Sequence, residues 1–179
     1  MSAEIPAEAQ LYKGKIVIWD EGQASYIHQQ GSVGKPLTGG KLHLSMIESL
    51  FLLEKEKIVI KDKKTGRNLD SRKFSSKALK LDPDFLLKYA VYSDLRSRGY
   101  VVKTGLKFGT HFRLYERGAK PGEGHAPYLV QAVPEGSKMS PADIARAVRL
   151  AHSVRKKMMM AIVDDEGDIT YYSLSRETP

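Results

Sequence analysis

The part of the chain beyond residue 110 limits the possible folds most strongly, because strand-like and helical periodicities follow one another within it. The pattern predicts strands over 110–115, 127–133, 158–163 and 169–174, and a helix that starts at Ser140. A further helix start at Asp82 places a domain boundary just before residue 85, so we expect a second domain over residues 85–179.

Capping residues mark two helix starts. Ser140 and Asp82 are each followed by a proline, which is a common order at the first turn of a helix. The helix after Asp82 is predicted to span 85–98 and to end at Gly99, a residue type that often follows a helix. The residues predicted to line the core-facing side of the Ser140 helix are Ile144, Val148, Ala151 and Val154.

Residues 1–84 are predicted to form a small α+β domain without any grouping of residues that indicates chemistry. Residues 1–10 are small and polar, which is typical of a loose tail. The other segments are predicted as strands over 13–19, 24–27 and 58–60, a turn at 20–22, a loop over 31–40, and helices over 44–56 and 75–81.

The composition excludes several classes of protein. Hydrophobic residues make up 41% and charged residues 28% of the 179 residues, which is typical of a soluble globular protein. No apolar run approaches the roughly 18 residues of a membrane span. The chain has no cysteine, which excludes disulfides, thiolate metal sites and a cysteine nucleophile. We expect a cytoplasmic protein with no membrane partner.

Positive charge is concentrated in the middle of the chain. Residues 85–160 hold 14 basic and 5 acidic side chains, residues 1–84 hold 14 and 11, and residues 161–179 hold 1 and 5. A basic region of this kind suits a polyanion such as nucleic acid. The alternative is an ordinary solvated surface, which also explains most of residues 54–80.

Three polar residues stand at the ends of predicted elements. Tyr115 closes one strand, His125 precedes the next, and Lys156 lies at the C-terminal end of the Ser140 helix. Residues at the ends of elements often converge in active sites. The alternative for each is structural: a tyrosine half-buried at a strand end, a histidine with local hydrogen bonds, and a lysine that complements the helix dipole.

Together these groups suit RNA cleavage without a metal ion or any other cofactor. A phenol can take a proton from a 2′-hydroxyl, an imidazolium can protonate the leaving 5′-oxygen, and an ammonium can offset charge on the phosphorane. A phenol acts as a base only where nearby positive charge favours its anion. Arg113, Arg117 and Lys156 are the candidate cations.

Several motifs, in this order, resemble the C-terminal domain of archaeal tRNA-splicing endonucleases. The motifs are YSDLRSRGYVVKTGLKFG at 92–109, YERG at 115–118, the following His125, and AHSVRKK at 151–157. The resemblance covers roughly 85–175 and is only compatible in length and pattern over 1–84. It implies a restriction-endonuclease-like α/β fold with a mixed sheet for the C-terminal domain. It also implies cleavage of a bulge–helix–bulge in precursor tRNA, which leaves 2′,3′-cyclic phosphate and 5′-hydroxyl ends.

The same resemblance implies roles for individual residues. Tyr115 is the expected base, His125 the expected acid and Lys156 the expected cation. Arg149 falls where the family places an arginine that stacks on a flipped-out base, which suits guanidinium stacking on single-stranded RNA. We expect Arg113 and Arg155 to contact nucleic acid as well. The second clamping side chain stays open between Tyr171 and Tyr172.

The short chain resembles the single-gene form of the family, which implies a homotetramer built as a dimer of dimers. In the family an acidic loop inserts into a basic cleft of another subunit, and the candidates here are Asp164, Asp165 and Asp168. The receiving cations are expected among Lys103, Lys107 and Arg113. The alternative is a solvated hairpin. The strand over 169–174 is expected to lie at an exposed sheet edge and to pair there with the same strand of another subunit.

Two other functions compete with RNA cleavage of this type. A metal-dependent nuclease would need an acid followed by an acid-x-Lys motif, but Asp62-Lys63-Lys64 precedes Pro83-Asp84, which is the wrong order. A non-catalytic RNA-binding subunit would lack part of the set formed by Tyr115, His125 and Lys156. The sequence contains the whole set.

Overall fold

The structure is a computed structural model that describes residues 5–119 and 124–177. Contacts divide the chain into two compact units, Met1–Leu86 and Leu87–Pro179. The sequence places the boundary between its two expected domains after residue 84. Each unit combines helices with a mixed sheet, which agrees with the α+β and mixed α/β architectures expected for the two parts of the chain.

The N-terminal unit is built on a sheet with the strand order β3-β4-β2-β1-β5-β6. Its strands are antiparallel to their neighbours except where β1 pairs with β5 in parallel. The elements are β1 (Ala7–Tyr12), β2 (Lys15–Ile18), α1 (Glu21–Gln29), β3 (Lys35–Leu37), β4 (Lys41–Leu44), α2 (Met46–Glu54), β5 (Ile58–Asp62), β6 (Asn68–Leu69) and α3 (Ser71–Leu81).

The strands of this sheet are buried on one face only. Every second residue is fully buried, as Ile16 and Ile18 of β2 show, and these residues form the core together with Ile27 of α1 and Phe74 of α3. Successive side chains of a strand point to opposite faces. The other face, called the open face below, is formed by Glu8, Gln10, Tyr12, Lys15, Val17, Lys41, His43, Val59 and Lys61, with Trp19 and Lys63 directly after β2 and β5.

Two predictions for the N-terminal part were wrong. Residues 7–10 belong to β1 rather than to a loose tail; the small Ala7 and Ala9 are buried there, so the strand shows little apolar character. Residues 1–4 lie outside the described part. The expected turn and strand over 20–27 form α1, because Asp20 caps a helix by accepting a hydrogen bond from the backbone N–H of Gln23 at 2.8 Å.

Other N-terminal predictions were confirmed with shifted ends. The helix expected over 44–56 is α2, which begins after a reciprocal capping box between Ser45 and Glu48. The helix expected over 75–81 is α3, which begins earlier because Asp70 accepts from the backbone N–H of Lys73. The loop expected over 31–40 contains the short strand β3.

The C-terminal unit is built on a sheet with the strand order β11-β10-β9-β8-β7. It is mixed, since β9 and β10 are parallel while the other neighbours are antiparallel. The elements are α4 (Phe85–Ser97), which begins at the boundary, then β7 (Val101–Thr104), β8 (Phe112–Tyr115), β9 (Tyr128–Pro134), α5 (Pro141–Ser153), β10 (Lys157–Val163) and β11 (Ile169–Leu174).

Helices α4 and α5 follow the predicted caps. Gly99 has a φ of 88° after α4, and α5 begins with a capping box between Ser140 and Asp143. The core-facing side of α5 differs from the expectation at one position. Ile144 is 40% exposed, whereas Ala151 is buried and Ala147 packs against the same core. Ile144 lies in the first turn of α5, about 10 Å along the axis from Ala151, so it can extend beyond the packed part of the core.

None of the helices in the described ranges is long and apolar enough to cross a membrane.

Candidate active site

The register of the C-terminal sheet brings three strand ends to one edge. Leu114 of β8 pairs with Tyr128, the first residue of β9, and Tyr128 also pairs with Lys157, the first residue of β10. Tyr115 and Lys156 therefore lie level with each other on either side of β9. Their backbones are two strand spacings apart, which is about 10 Å across the sheet. His125 lies three residues before β9, at the same edge.

Tyr115 is anchored in a small apolar cluster. Its exposed fraction is 7%, and it packs with the buried Val101 and Ala126. The guanidinium carbon of Arg113 lies 5.9 Å from the centre of its ring. Arg113 is held there by a 2.9 Å hydrogen bond from Nε to the carbonyl oxygen of Thr104. The Tyr115 phenol therefore stands beside a fixed positive charge.

The other cations expected near Tyr115 take different positions. The guanidinium carbon of Arg117 lies over Tyr100, 5.2 Å from the centre of that ring. The Nζ atom of Lys156 lies 5.6 Å from the ring centre of Phe108, and Arg113 lies 6.0 Å from the same centre. The Nζ atom of Lys107 lies 4.9 Å from the same centre, so three cations lie beside the Phe108 ring, whereas Arg117 lies elsewhere.

A cavity of about 460 Å³ joins Tyr115 to His125. The described residues that line it are Tyr115, Glu116, Gly118, Ala119, Gly124, His125 and Pro127. His125 is exposed, so its imidazole is accessible from solvent. Residues 120–123, which connect the segments of Tyr115 and His125, lie outside the described residues.

Lys156 reaches the same place from the opposite strand. Its ammonium donates a 2.6 Å hydrogen bond to the carbonyl oxygen of Ala126, the residue that follows His125 and packs against Tyr115. Burial lowers the pKa of Lys156, and the positive charges of Arg113 and Lys107 lower it further. Ala126 therefore links all three predicted residues in one neighbourhood.

The turn that positions Lys156 is a Schellman motif. The backbone N–H of Lys156 donates to the carbonyl of Ala151 at 2.8 Å, and that of Arg155 donates to the carbonyl of His152 at 3.0 Å. The residue between the helix cap and Lys156 in such a motif is usually glycine, because its φ is positive. Arg155 occupies it here with a φ of 56°, and its side chain is exposed.

The three arginines expected to contact nucleic acid are placed differently. Arg113 is partly buried beside Tyr115, and Arg155 adjoins Lys156. Arg149 is exposed on α5 and does not line the cavity in the described ranges. The structure thus brings Arg113 to the site and leaves Arg149 as a separate cation on the helix surface.

The acidic loop is a tight hairpin between β10 and β11. One carboxylate oxygen of Asp164 accepts from the backbone N–H groups of Glu166 and Asp168, at 3.0 and 2.8 Å. Asp164 therefore shapes the turn itself. Asp165 and Asp168 are exposed, so their carboxylates are directed to solvent.

Sequence reasoning missed two contributors and left one choice open. Phe108, whose ring lies beside three cations, is in an unpatterned turn, and the Ala126 carbonyl gives no sequence signal. Tyr171 and Tyr172 were the two candidates for the second clamping side chain. The Tyr171 hydroxyl donates a 2.6 Å hydrogen bond to Asp94, and its pKa is raised mainly by burial and also by this hydrogen bond. Tyr172 is 55% exposed, so only Tyr172 presents most of its ring to solvent.

No group of three or more His, Asp or Glu side chains in the described ranges could hold a metal ion.

Comparison with known proteins gives matches over both units. The family described as tRNA intron endonuclease, catalytic C-terminal domain, matches residues 85–171, and the family described as its N-terminal domain matches residues 7–75. Proteins named tRNA-splicing endonuclease are similar over most of the chain. The protein from Thermococcus kodakarensis is 46% identical over 87% of this chain and 89% of its own length.

Two further relatives of the same name differ in length. The protein from Methanothermobacter thermautotrophicus is 42% identical over 92% of this chain and 94% of its own length. The protein from Methanococcoides burtonii is 39% identical over 97% of this chain but only 49% of its own length. The chain therefore spans about half the length of some relatives and nearly all of others.

Proposed function

The chain belongs to the tRNA intron endonuclease family, and on that premise we propose that it is an endoribonuclease that excises introns from precursor tRNA. The observation that carries the proposal is the meeting of Tyr115, His125 and Lys156 around Ala126 at one sheet edge. The proposed substrate is the bulge–helix–bulge at the intron boundaries. The proposed reaction needs no metal ion and no cofactor. Because its substrate is precursor tRNA, we propose that the protein acts in the cytoplasm.

The reaction begins with Tyr115, which takes the proton of the 2′-hydroxyl group next to the cleavage site. The 2′-oxygen attacks phosphorus while the bond to the 5′-oxygen breaks. His125, as imidazolium, gives its proton to that leaving oxygen. One P–O bond forms and one breaks, which yields a 2′,3′-cyclic phosphate and a 5′-hydroxyl. Each proton transfer contributes roughly 10²- to 10⁴-fold.

Positive charge at the cleft stabilises the phosphorane. Lys156 has three N–H donors, one of which is bound by the carbonyl of Ala126, so its ammonium is oriented before RNA arrives. Arg113 stands beside Tyr115, so a second positive charge lies at the same site. Oriented cations in a partly buried site need little rearrangement during the reaction, and that preorganisation is the main source of electrostatic catalysis.

RNA binding extends beyond the reacting phosphate. Arg155 is exposed next to Lys156 and is proposed to contact a neighbouring phosphate. Arg149 is exposed on α5, and its planar guanidinium is proposed to stack on an unpaired bulge base. The strain accepted at Arg155, where glycine would be favoured, supports a role for its side chain.

Residues 85–179 are proposed to be a catalytic domain with a restriction-endonuclease-like fold that assembles as a homotetramer, a dimer of dimers. Strand β11 is at the end of the described sheet, so its outer backbone groups are available to a second copy. The exposed carboxylates of Asp165 and Asp168, on a turn shaped by Asp164, would contact basic residues of another subunit.

A cleavage assay in chelator tests the proposal. The full chain is incubated with a bulge–helix–bulge RNA in excess EDTA, and the product ends are identified by mass spectrometry. We expect 2′,3′-cyclic phosphate and 5′-hydroxyl ends, and no cut where the cleavage-site nucleotide is 2′-deoxy. Cleavage that stops in chelator would replace this mechanism with a metal-dependent one. Binding without any cleavage would favour a non-catalytic RNA-binding subunit.

A further inference from the structure

The open face of the N-terminal sheet combines exposed aromatic rings with lysines. Tyr12 and Trp19 are each 48% exposed, although large aromatic side chains are usually covered. Each ring lies within reach of ammonium groups. Lys41 is 4.7 Å from the ring centre of Trp19, and Lys63 is 4.9 Å from that of Tyr12. Lys13, in the turn after β1, is 5.3 Å from the Tyr12 ring centre.

The register places these groups on one surface. Tyr12 pairs with Lys15, and Gln10 pairs with both Val17 and Lys61. Cross-strand partners point to the same side of a sheet. The side chains of Lys15 and Lys61 therefore lie on the same side of the sheet as Tyr12, between strands whose alternate residues are buried.

Trp19 extends this surface in the other direction along the strands. Ala9 pairs with Ile18, so Trp19 is level with Glu8, four residues from Tyr12 or about 13 Å along the strand. The two rings are too far apart to touch, and the space between them is bordered by lysines. This arrangement differs from an apolar patch, whose members would lie in contact.

The charge of the open face is almost entirely positive. Its described side chains include the basic residues Lys15, Lys41, Lys61 and Lys63 but only one carboxylate, that of Glu8. The N-terminal part as a whole is nearly balanced, with 14 basic and 11 acidic residues over 1–84. The acidic residues are therefore largely elsewhere, as in the helix caps Asp20 and Asp70.

We propose that the open face of the N-terminal sheet binds an unpaired stretch of RNA, with bases stacked on Tyr12 and Trp19 and phosphates held by the surrounding lysines. Aromatic rings on a sheet stack on bases whatever their identity, and lysines follow the backbone. The inference rests on the proposed function, since it extends the contact with the RNA substrate to the N-terminal unit. A second protein copy is disfavoured because two such faces would repel each other.

Trp19 makes the test direct, because it is the only tryptophan in the chain. The full chain with His125→Ala, which is expected to cleave RNA at least about 100-fold more slowly, is titrated with a uridine oligonucleotide while Trp19 fluorescence is recorded. We expect saturable quenching by stacking. A blunt RNA duplex of equal charge should quench much less, and equal quenching by the duplex would overturn the assignment of unpaired bases.

Two charge-matched variants then locate the contact. The first variant combines Lys15→Gln, Lys61→Gln and Lys63→Gln. It should weaken oligonucleotide binding about 10-fold or more, and the slope of log K against log salt concentration should become shallower by about 0.7 for each lost phosphate contact. Lys55→Gln, Lys73→Gln and Lys80→Gln remove the same charge from the helices and their ends and should change affinity less than about 2-fold. Equal losses in both variants would overturn the proposal.

Substitution of the ring separates stacking from charge. Trp19→Phe should retain affinity and Trp19→Ala should lose it, because phenylalanine also stacks on bases. Sedimentation of the same variants identifies the competing occupant. If Trp19→Ala lowers the assembly mass but leaves oligonucleotide affinity unchanged, the face joins protein copies and the proposal is wrong.

The outcome is separable from that of the proposed function. Wild-type cleavage of a bulge–helix–bulge RNA, with no Trp19 quenching by the oligonucleotide, would refute RNA binding at the open face and leave the nuclease intact. Trp19 quenching without cleavage would do the reverse.

Discussion

The two sheets of this protein handle burial in opposite ways. Strands β1, β2, β4 and β5 alternate between buried and open positions, whereas β9 buries neighbouring residues in succession, since Leu129 and Val130 both have 0% exposure. Side chains of successive strand residues point to opposite faces, so β9 is covered on both sides. The N-terminal sheet therefore has one solvent-exposed face. The C-terminal sheet is covered on both faces at β9 and is accessible there only at the ends of its strands.

The coverage of β9 comes from the two helices of its unit. Leu129 and Met158 pack with Ala151 of α5 on one side. On the other side Phe112 of β8 meets Tyr92 of α4, with ring centres 6.0 Å apart. Because both faces are covered, a substrate can reach this sheet only where its strands end. Tyr115, His125 and Lys156 lie at those strand ends.

The largest expected effect is at that edge. His125→Ala should reduce cleavage of a bulge–helix–bulge RNA by about 10²- to 10⁴-fold, because the leaving oxygen loses its proton donor. RNA affinity should change little, and single-turnover rates with binding measured in parallel separate the two. His152→Ala, another exposed histidine in the same unit, is the control. Normal turnover by His125→Ala would show that His125 is not the proton donor.

Lys156→Gln should lower the rate by about 10²- to 10³-fold, as for the loss of one oriented donor at an oxyanion. The pH dependence gives a sharper test. Because burial and the charges of Arg113 and Lys107 lower the pKa of Lys156, its ammonium is lost at a lower pH than that of an ordinary lysine. Activity should therefore fall on the alkaline side as pH rises through that lowered value.

Arg113→Gln removes one of the charges that depress the pKa of Lys156, so the alkaline fall should move to higher pH. The rate below it should drop as well, since Tyr115 loses its neighbouring cation. A pH–rate profile for wild type and variant measures both. An alkaline limb that stays in place would show that Arg113 does not act on Lys156.

A matched pair of valines tests the difference between the two sheets. Val130→Ala, at 0% exposure, should cost about 2 kcal/mol from lost burial and the cavity left behind. Val59→Ala, at 36% exposure on the open face, should change stability by less than about 0.5 kcal/mol. Urea unfolding followed by circular dichroism measures both, while Trp19 fluorescence reports the N-terminal unit alone. Equal costs would contradict the description of an open face.

The smallest expected effect concerns the turn before Lys156. Arg155→Gly and Arg155→Ala both remove the guanidinium, but only glycine adopts a φ of 56° without steric cost. The glycine variant should therefore be more stable than the alanine variant by about 1 kcal/mol. Both should lose the same affinity for RNA if Arg155 contacts a phosphate, and an unchanged affinity in both would remove that contact.

The elements of the C-terminal unit could be predicted well because local signals agree there. Ser140 with its proline marks the start of α5, Gly99 marks the end of α4, and the run at 158–163 is apolar throughout. In the N-terminal unit, β1 buries alanines instead of large apolar residues, and Asp20 acts as a helix cap within a segment that otherwise resembles a turn. Weak local signals there were overridden by packing.

The sequence could suggest residues for the candidate site but not how the fold holds them. Residue types and the resemblance to a family indicated Tyr115, His125 and Lys156. Their meeting at one edge depends on register, and the Ala126 carbonyl that orients Lys156 has no side-chain signature. The open face was missed because its lysines are spread over several strands and gather only when the sheet forms.

The parallel pairing of β9 with β10 also sets the order in which the enzyme becomes complete during synthesis. Chains fold broadly from the N-terminus as they leave the ribosome, at about 5–20 residues per second. A nascent chain that has emerged only as far as α5 possesses the phenol and the imidazole but not the ammonium, whose place is fixed when β10 docks beside β9. The set of three groups is therefore incomplete until β10 has been synthesised and has paired with β9.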